Sequence, residues 1–305
     1  MVTVIGEALV DIIVDARGEV TSVVGGGPLN TARTVARLGV PSTFLGGVST
    51  DPFGQRIMRL LDQDGVVLGL GAPVPEPTTL AIAQIDESGA ASYRFLLDGT
   101  SAATVTPEMA LAHLDAGSKA IHAGTLALVM QPLADALIAV VGAARDDQLV
   151  MIDPNCRPSV DRLDLLRTSL AAVIDRADIV KVSGDDLEYL FPGTGMIEAA
   201  VALQESSGAV VLFTDGSNAV HVMAPGTDIV LEVPRVPVID TVGAGDSFSG
   251  GFLAYWLHND LGRADIAELD KVVAAARFGI AVAGITCQRP GADPPRAHEV
   301  LGGWA

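Results

Sequence analysis

The chain is 305 residues long, 49% hydrophobic, and carries 37 acidic against 19 basic residues for a formal charge of −18. That length suits one large α/β unit or two smaller ones with a substantial core, while the acidity and the lack of any Lys/Arg cluster work against a nucleic-acid backbone as partner. The cysteines, Cys156 and Cys287, are far apart and offer neither a disulfide framework nor the Cys/His spacing of a structural zinc.

In chain order, VTVIG (2–6) predicts a strand. The opening stretch carries Glu7, Asp11 and Asp15 and no basic leader, so a cytoplasmic protein without signal peptide or membrane span is expected. Residues 9–24 give two strand-like runs, LVDIIVDA and EVTSVV, around a turn at Asp15–Gly18. The glycine cluster of GGGPLNTARTVARLG (25–39) leads into a helix over 30–38 that closes at Gly39; STFLGG (42–47) follows as a strand, and 52–64 as a helix stopped by Gly65. Residues 74–98 repeat the helix-free pattern, with TTLAIAQID and ASYRFLLD on either side of a turn at Asp86–Gly89. These stretches predict a small antiparallel sheet standing off the main body, able to act as a lid, as a dimer contact, or as both. Strands then fall at KAIHAG (119–124), LVMIDPN (149–155), DIVKVS (178–183) and AVVLFTDG (209–216), and helices over 131–145, 161–175, 185–191, 196–207, 246–258 and 265–283. Short β-branched runs alternating with helices predict a mostly parallel sheet covered by helices. No repeat or long linker interrupts the pattern, so one compact α/β unit over 1–305 with the lid inserted is expected.

DTVGAGDSFSGGF (240–252) sets four glycines beside two acids. Helix starts leave backbone N–H groups unpaired and carry partial positive charge, and glycines let an anion approach closely. Gly243, Ala244 and Gly245 would present such donors if a helix begins near Asp246. A carboxylate beside an anion cradle makes chemical sense when a hydroxyl attacks a phosphate and must lose its proton. An ordinary N-cap role for Asp246 fits this window equally well. The second glycine cluster shifts the balance: Gly26 and Gly27 admit a ligand to the backbone, Asn30 offers both donor and acceptor to sugar hydroxyls, and Asp11 adds an acceptor for paired hydroxyls. A tight turn with an Asn cap and a solvent-facing acid are the plainer alternatives. None of the three lysines stands in G-x-x-x-x-G-K-[ST], no G-x-G-x-x-G follows a strand, and no G-x-S-x-G elbow occurs. A serine hydrolase built on Gly245-Asp246-Ser247 and a non-enzymatic sugar-binding module remain as rivals from other classes.

DTVGAGDSFSGGFL and GGGPLNTARTVARLG, together with GEALVD, IDPNCRPSV, IVKVSGDDLEYL, VVLFTDG and RPGADPP, resemble the ribokinase-like carbohydrate kinases, the PfkB family, and within it the fructokinase type. The resemblance implies a three-layer α/β/α fold with a mostly parallel central sheet and a small antiparallel β lid. It also implies transfer of the ATP γ-phosphoryl group to a hydroxymethyl group of a small neutral sugar, fructose above 2-keto-3-deoxygluconate, ribose or a nucleoside. By position it makes Asp246 the catalytic base and Gly243, Ala244 and Gly245 the anion-hole backbone. Sugar contacts fall on Asp11, Gly26, Gly27 and Asn30, with Arg94 and Phe95 of the lid involved in substrate choice. Asp153, Asn155 and Arg157 face the phosphates, and the nucleotide lies near Ser183, Thr214, Gly216 and Thr241. Mg²⁺ would be organised by Asp186 through water, a monovalent cation such as K⁺ would involve Asp240, and a homodimer would form through the lid. The chain departs from the pattern at Ser183-Gly184-Asp185-Asp186, where ribokinases carry Asn-x-x-Glu. It departs again at Asp215, an acid where a small apolar residue is usual, and in SYRFLLDGTSA, which is longer than the fructokinase stretch.

Overall fold

Strand β1 (Val2–Ile5) is buried along its whole length, as a strand with neighbours on both edges and helices on both faces must be. The computed structural model describes residues 1–86 and 91–300. The chain leaves β1 for the hairpin of β2 (Leu9–Val14) and β3 (Val20–Gly25), whose turn is closed by Asp15 Oδ1 accepting from the amides of Arg17 and Glu19. Helix α1 (Gly27–Arg37) begins earlier than expected because Gly26, at φ +111°, turns the chain and Pro28 stands in the first turn, where its missing N–H costs nothing. Then come β4 (Ser42–Leu45), α2 (Pro52–Asp64) and the short β5 (Val67–Leu68); α2 is capped by the Asp51 carboxylate at one end and by left-handed Gly65 at the other. Strands β6 (Thr79–Ile85) and β7 (Ala91–Leu96) complete the small sheet, and the turn expected at Asp86–Gly89 lies outside the described residues from 87 onward.

A short unanticipated helix, α3 (Pro107–Ala112), precedes β8 (Ala120–Gly124), α4 (Leu133–Gly142), β9 (Leu149–Asp153), α5 (Leu163–Ile174), β10 (Ile179–Ser183), α6 (Gly184–Leu190), α7 (Met196–Ser207) and β11 (Val210–Asp215). The hairpin of β12 (Ala219–Ala224) and β13 (Thr227–Glu232) was not foreseen; it adds two antiparallel strands at one edge. Helices α8 (Ala244–His258) and α9 (Leu269–Thr286) end the fold, and a 3₁₀ turn at Arg263–Ala267 takes up the start of the helix expected over 265–283.

The main sheet runs β13-β12-β11-β10-β9-β8-β1-β4-β5, parallel apart from the edge hairpin. Helices α1, α2, α8 and α9 cover one face through Leu29, Ile57, Phe252, Trp256 and Val272; α3 to α7 cover the other through Ala110, Leu137, Leu166, Leu187 and Ala199. This is the three-layer α/β/α arrangement. The small sheet runs β3-β2-β6-β7. Each hairpin within it is antiparallel, but the seam between β2 and β6 is parallel, because both strands rise from the main body with buried Leu9 and Thr79 at their feet.

Candidate active site

The carboxyl ends of β1, β8, β9, β10 and β11 lie along one edge of the main sheet, where open α/β sheets take their ligands. The tip of α8 belongs to this edge. Its N-cap is Gly243, left-handed at φ +76°, so Asp246 occupies the third helical position and is not the N-cap. The Ala244 amide bonds the Thr241 carbonyl at 3.2 Å, while the amides of Gly243 and Gly245 have no partner among the described residues. An anion at this tip would therefore be received by Gly243 and Gly245, and Ala244 is spent on the turn.

Asp246 is 8% exposed, and its Oδ2 accepts a hydrogen bond from Asn30 Nδ2 at 2.9 Å. Burial pushes its carboxyl above the usual range, while the Asn30 bond, Lys181 and Arg157 pull it back. Gly27 marks the meeting point: a Cβ there would stand 2.8 Å from Thr125 Cγ2, 3.1 Å from Asp246 Oδ1 and 3.2 Å from Asn155 Nδ2. Three other segments thus converge on one residue of α1 that has no side chain. Ser247 points elsewhere; it is buried and its hydroxyl bonds Thr286 at 2.9 Å, which removes it as an exposed nucleophile.

On the small sheet, the Asp11 carboxylate occupies the place a Gly25 side chain would take, and burial raises its pKa to about 6 against the pull of Arg157. Strand pairing sets Val23, Asp11, Ala81 and Phe95 in one row across the sheet, so Asp11 and Phe95 share a face. Arg94 corrects the expectation. It lies in the row Ser22, Ile12, Ile82, Arg94 on the opposite face, the one against which Arg56 of α2 bonds Ser22, because successive strand residues alternate sides.

Asn155 follows β9 in a left-handed conformation at φ +39°, and Arg157 Nη1 donates to its Oδ1 at 2.6 Å. The Arg157 charge acts on Glu7, Asp11 and Asp246 alike. Ser183 and Thr214 are register neighbours at the ends of β10 and β11, with Gly216 just beyond. Asp186 is 2% exposed and caps α6: its Oδ2 accepts from the Ser183 amide and hydroxyl, and its Oδ1 from the Cys156 amide at 2.6 Å. Asp240 binds the Val242 amide with one oxygen and the Gly291 amide with the other, tying the loop before α8 to the tail. Asp215 accepts from Asn218 Nδ2 at 2.9 Å and so closes the β11–β12 turn, the role the sequence left open.

Three groups were missed. Glu7, 2% exposed, accepts from Thr125 Oγ1 at 2.6 Å and is raised by burial to about 7. Lys181, on β10, pairs with Asp153 at 3.2 Å, and a Cβ on Gly245 would stand 2.9 Å from its Nζ. Burial, with Asp186 and Asp246 nearby, raises Asp153 to about 6 despite that lysine. His122, two residues before the end of β8, is buried with neither ring nitrogen bonded among the described residues, and burial first and Lys181 second lower it to about 3.

The sequence profile described as pfkB family carbohydrate kinase matches residues 1–298. A fructokinase of Rhizobium leguminosarum bv. trifolii is 30% identical over 278 residues, covering 89% of this chain and 84% of its own length. The crystal structure of a fructokinase with bound ATP from Xylella fastidiosa superposes with a TM-score of 0.86 at 26% identity, over 99% of this chain and 97% of that one. A fructokinase double mutant from Vibrio cholerae O395, in its fructose-, ADP- and potassium-bound form, does so with a TM-score of 0.81 at 25% identity, over 95% and 93%.

Proposed function

The chain belongs to the pfkB family of carbohydrate kinases and is an ATP-dependent sugar kinase, and on that premise we propose that it phosphorylates a hydroxymethyl group of fructose with Asp246 as general base. The observation that carries this assignment is the contiguity of the buried Asp246 carboxylate with the amides of Gly243 and Gly245, which have no partner among the described residues. The acceptor hydroxyl gives its proton to Asp246, which Asn30 holds in place, and the migrating phosphoryl group meets the two amides. Such a transfer needs positioning and charge stabilisation more than covalent chemistry. Asp11, Gly26, Gly27 and Phe95 would surround the sugar, while Asn155, Arg157, Ser183, Thr214, Gly216 and Thr241 would line the nucleotide.

A neutral sugar suits this cleft. Glu7, Asp11 and Asp246 cluster with Arg157 as the cation acting on all three, so the carboxylate of a keto-acid sugar would add negative charge beside acids that already share that cation. Mg²⁺ bound with nucleotide usually keeps several waters and takes its other oxygens from phosphates. The buried, already hydrogen-bonded carboxylate of Asp186 fits such a water-bridged ion, which would neutralise phosphate charge. Asp240 at the loop before α8 is the residue we assign to a monovalent cation.

We take the chain as one α/β unit with the lid inserted, working in the cytoplasm. No helix among the described residues is long and apolar enough to cross a membrane. The exposed Val23 and Tyr93 on the Asp11 face of the small sheet mark the surface we assign to a homodimer. A coupled assay of ADP release over fructose, ribose, 2-keto-3-deoxygluconate and adenosine tests the substrate. Fructose should give the highest kcat/KM; a higher value for any of the others would reassign it.

A further inference from the structure

Of the three lysines, Lys181 alone is buried, with its side chain 4% exposed against 61% for Lys119 and 33% for Lys271. Burying an ammonium is costly unless it is paired, and an apolar pair of similar volume would fill the same space more stably than a lysine and an aspartate. What an apolar pair cannot do is place a fixed positive charge where this one stands. Nζ lies against the first turn of α8, where a Cβ on Gly245 would be 2.9 Å away, and it is held there by Asp153 at 3.2 Å.

Four neighbouring elements bring a titratable group near this ammonium, while Leu212 of β11, its register partner, brings none. Asp153 comes from β9, Asp186 from α6, Asp246 from α8 and His122 from β8. The imidazole of His122 is buried without a hydrogen-bond partner among the described residues and stays neutral, so it adds no second cation. Three carboxylates therefore surround one ammonium at the edge where a nucleotide would bring further negative charge. Burial works against the lysine charge, and Asp153, Asp186 and Asp246 together outweigh it, so Lys181 stays protonated throughout the range in which a kinase works.

We propose that Lys181 is a positioning residue for phosphoryl transfer: seated between Asp153 and the Gly245 turn, its fixed charge lets the Asp246 carboxylate and the phosphate chain of the nucleotide share one cleft edge. The proposal rests on the assignment of Asp246 as base. Lys181 touches no reacting atom; it acts through the field it sets on Asp246 and on the tip of α8. Without it, Asp246 must ionise beside buried acids with only the Asn30 bond and the more distant Arg157 in support.

The test uses the full chain with Lys181→Met and Lys181→Met/Asp153→Asn, the second removing both buried charges so that no unpaired ion is left to unfold the protein. Melting temperature, kcat, KM for the sugar and, for the single variant, the pH profile of kcat/KM are measured. The expected result is a kcat lower by at least about tenfold in both variants with the sugar KM little changed, and an acid limb moved to higher pH in Lys181→Met. Where the single variant melts too low to assay, the double variant decides on kcat alone. A double variant within twofold of the parent kcat would overturn the proposal and reduce Lys181 to a counter-ion for Asp153. Asp246→Asn measured alongside separates the two assignments. Normal turnover there removes the base itself, whereas an inactive Asp246→Asn beside a normal double variant removes only the role of Lys181.

Discussion

Asn30 and Asp246, 216 positions apart in the chain, are joined by a buried 2.9 Å hydrogen bond from Nδ2 to Oδ2. The bond fixes one carboxylate oxygen and leaves Oδ1 beside Gly27, 3.1 Å from where a Cβ would stand. It also favours the ionised form of an acid that burial would keep protonated. Replacing Asn30 with alanine should remove a charge-assisted bond worth about 1.5–3 kcal/mol. The acid limb of the kcat/KM profile should then move to higher pH, with the greatest loss below neutrality. A profile that merely drops without shifting would assign Asn30 to sugar binding alone.

Asp246→Asn should keep the fold and ATP binding and lower kcat at least about 10²-fold. Because burial raises the Asp246 pKa above its unfolded value, the ionised carboxylate works against folding, and this penalty grows as pH rises through the folded pKa. The amide variant should therefore melt no lower than the parent at pH 8. Circular dichroism melts and nucleotide titration check both halves of the statement.

Glu7 carries the same logic with a firmer number. Its folded pKa of about 7 lies above the ordinary glutamate value, so the stability it contributes is fully present in acid and is lost as pH rises towards and through 7. A gap of that size corresponds to roughly 3 kcal/mol. Glu7→Gln, which still accepts from Thr125, should match the parent in urea melts at pH 4 and exceed it at pH 8. Equal stability at both values would mean that Glu7 titrates normally.

The two rows of the small sheet make opposite forecasts for neighbouring residues. Phe95→Ala should raise the sugar KM by about tenfold through lost apolar contact, and Arg94→Ala should leave it unchanged. Saturation kinetics on the two variants compare the faces directly; a larger effect at Arg94 would mean that β7 turns over when sugar binds.

Val23 and Tyr93, exposed on the Asp11 face, should govern assembly. Val23→Asp/Tyr93→Asp is expected to sediment as a monomer where the parent sediments as a dimer. A parent that is already monomeric at assay concentration would leave this sheet as a cover only.

Much of this architecture was legible because its signals are local. Gly65 stops α2, and Pro28 with the glycines before it opens α1; each acts through backbone conformation within a few residues. Asp246 could be singled out for the same reason, although whether it capped the helix or stood inside it depended on the left-handed turn of Gly243. The pairing of β2 with β6 was not legible, since alternation along a strand says nothing of which strand lies beside it. Lys181 escaped for a related reason. A lysine between valines in a strand covered on both faces calls for a buried acid, but only the register of β9 against β10 shows that Asp153 supplies it.

Strand β3 ends at Gly25 and helix α1 begins at Gly27, so a single residue connects the outer sheet to the rod that carries Asn30. A joint that short acts like a crank. A swing of the sheet about its foot would twist the first turn of α1 and, through Asn30, tug at the Asp246 carboxylate.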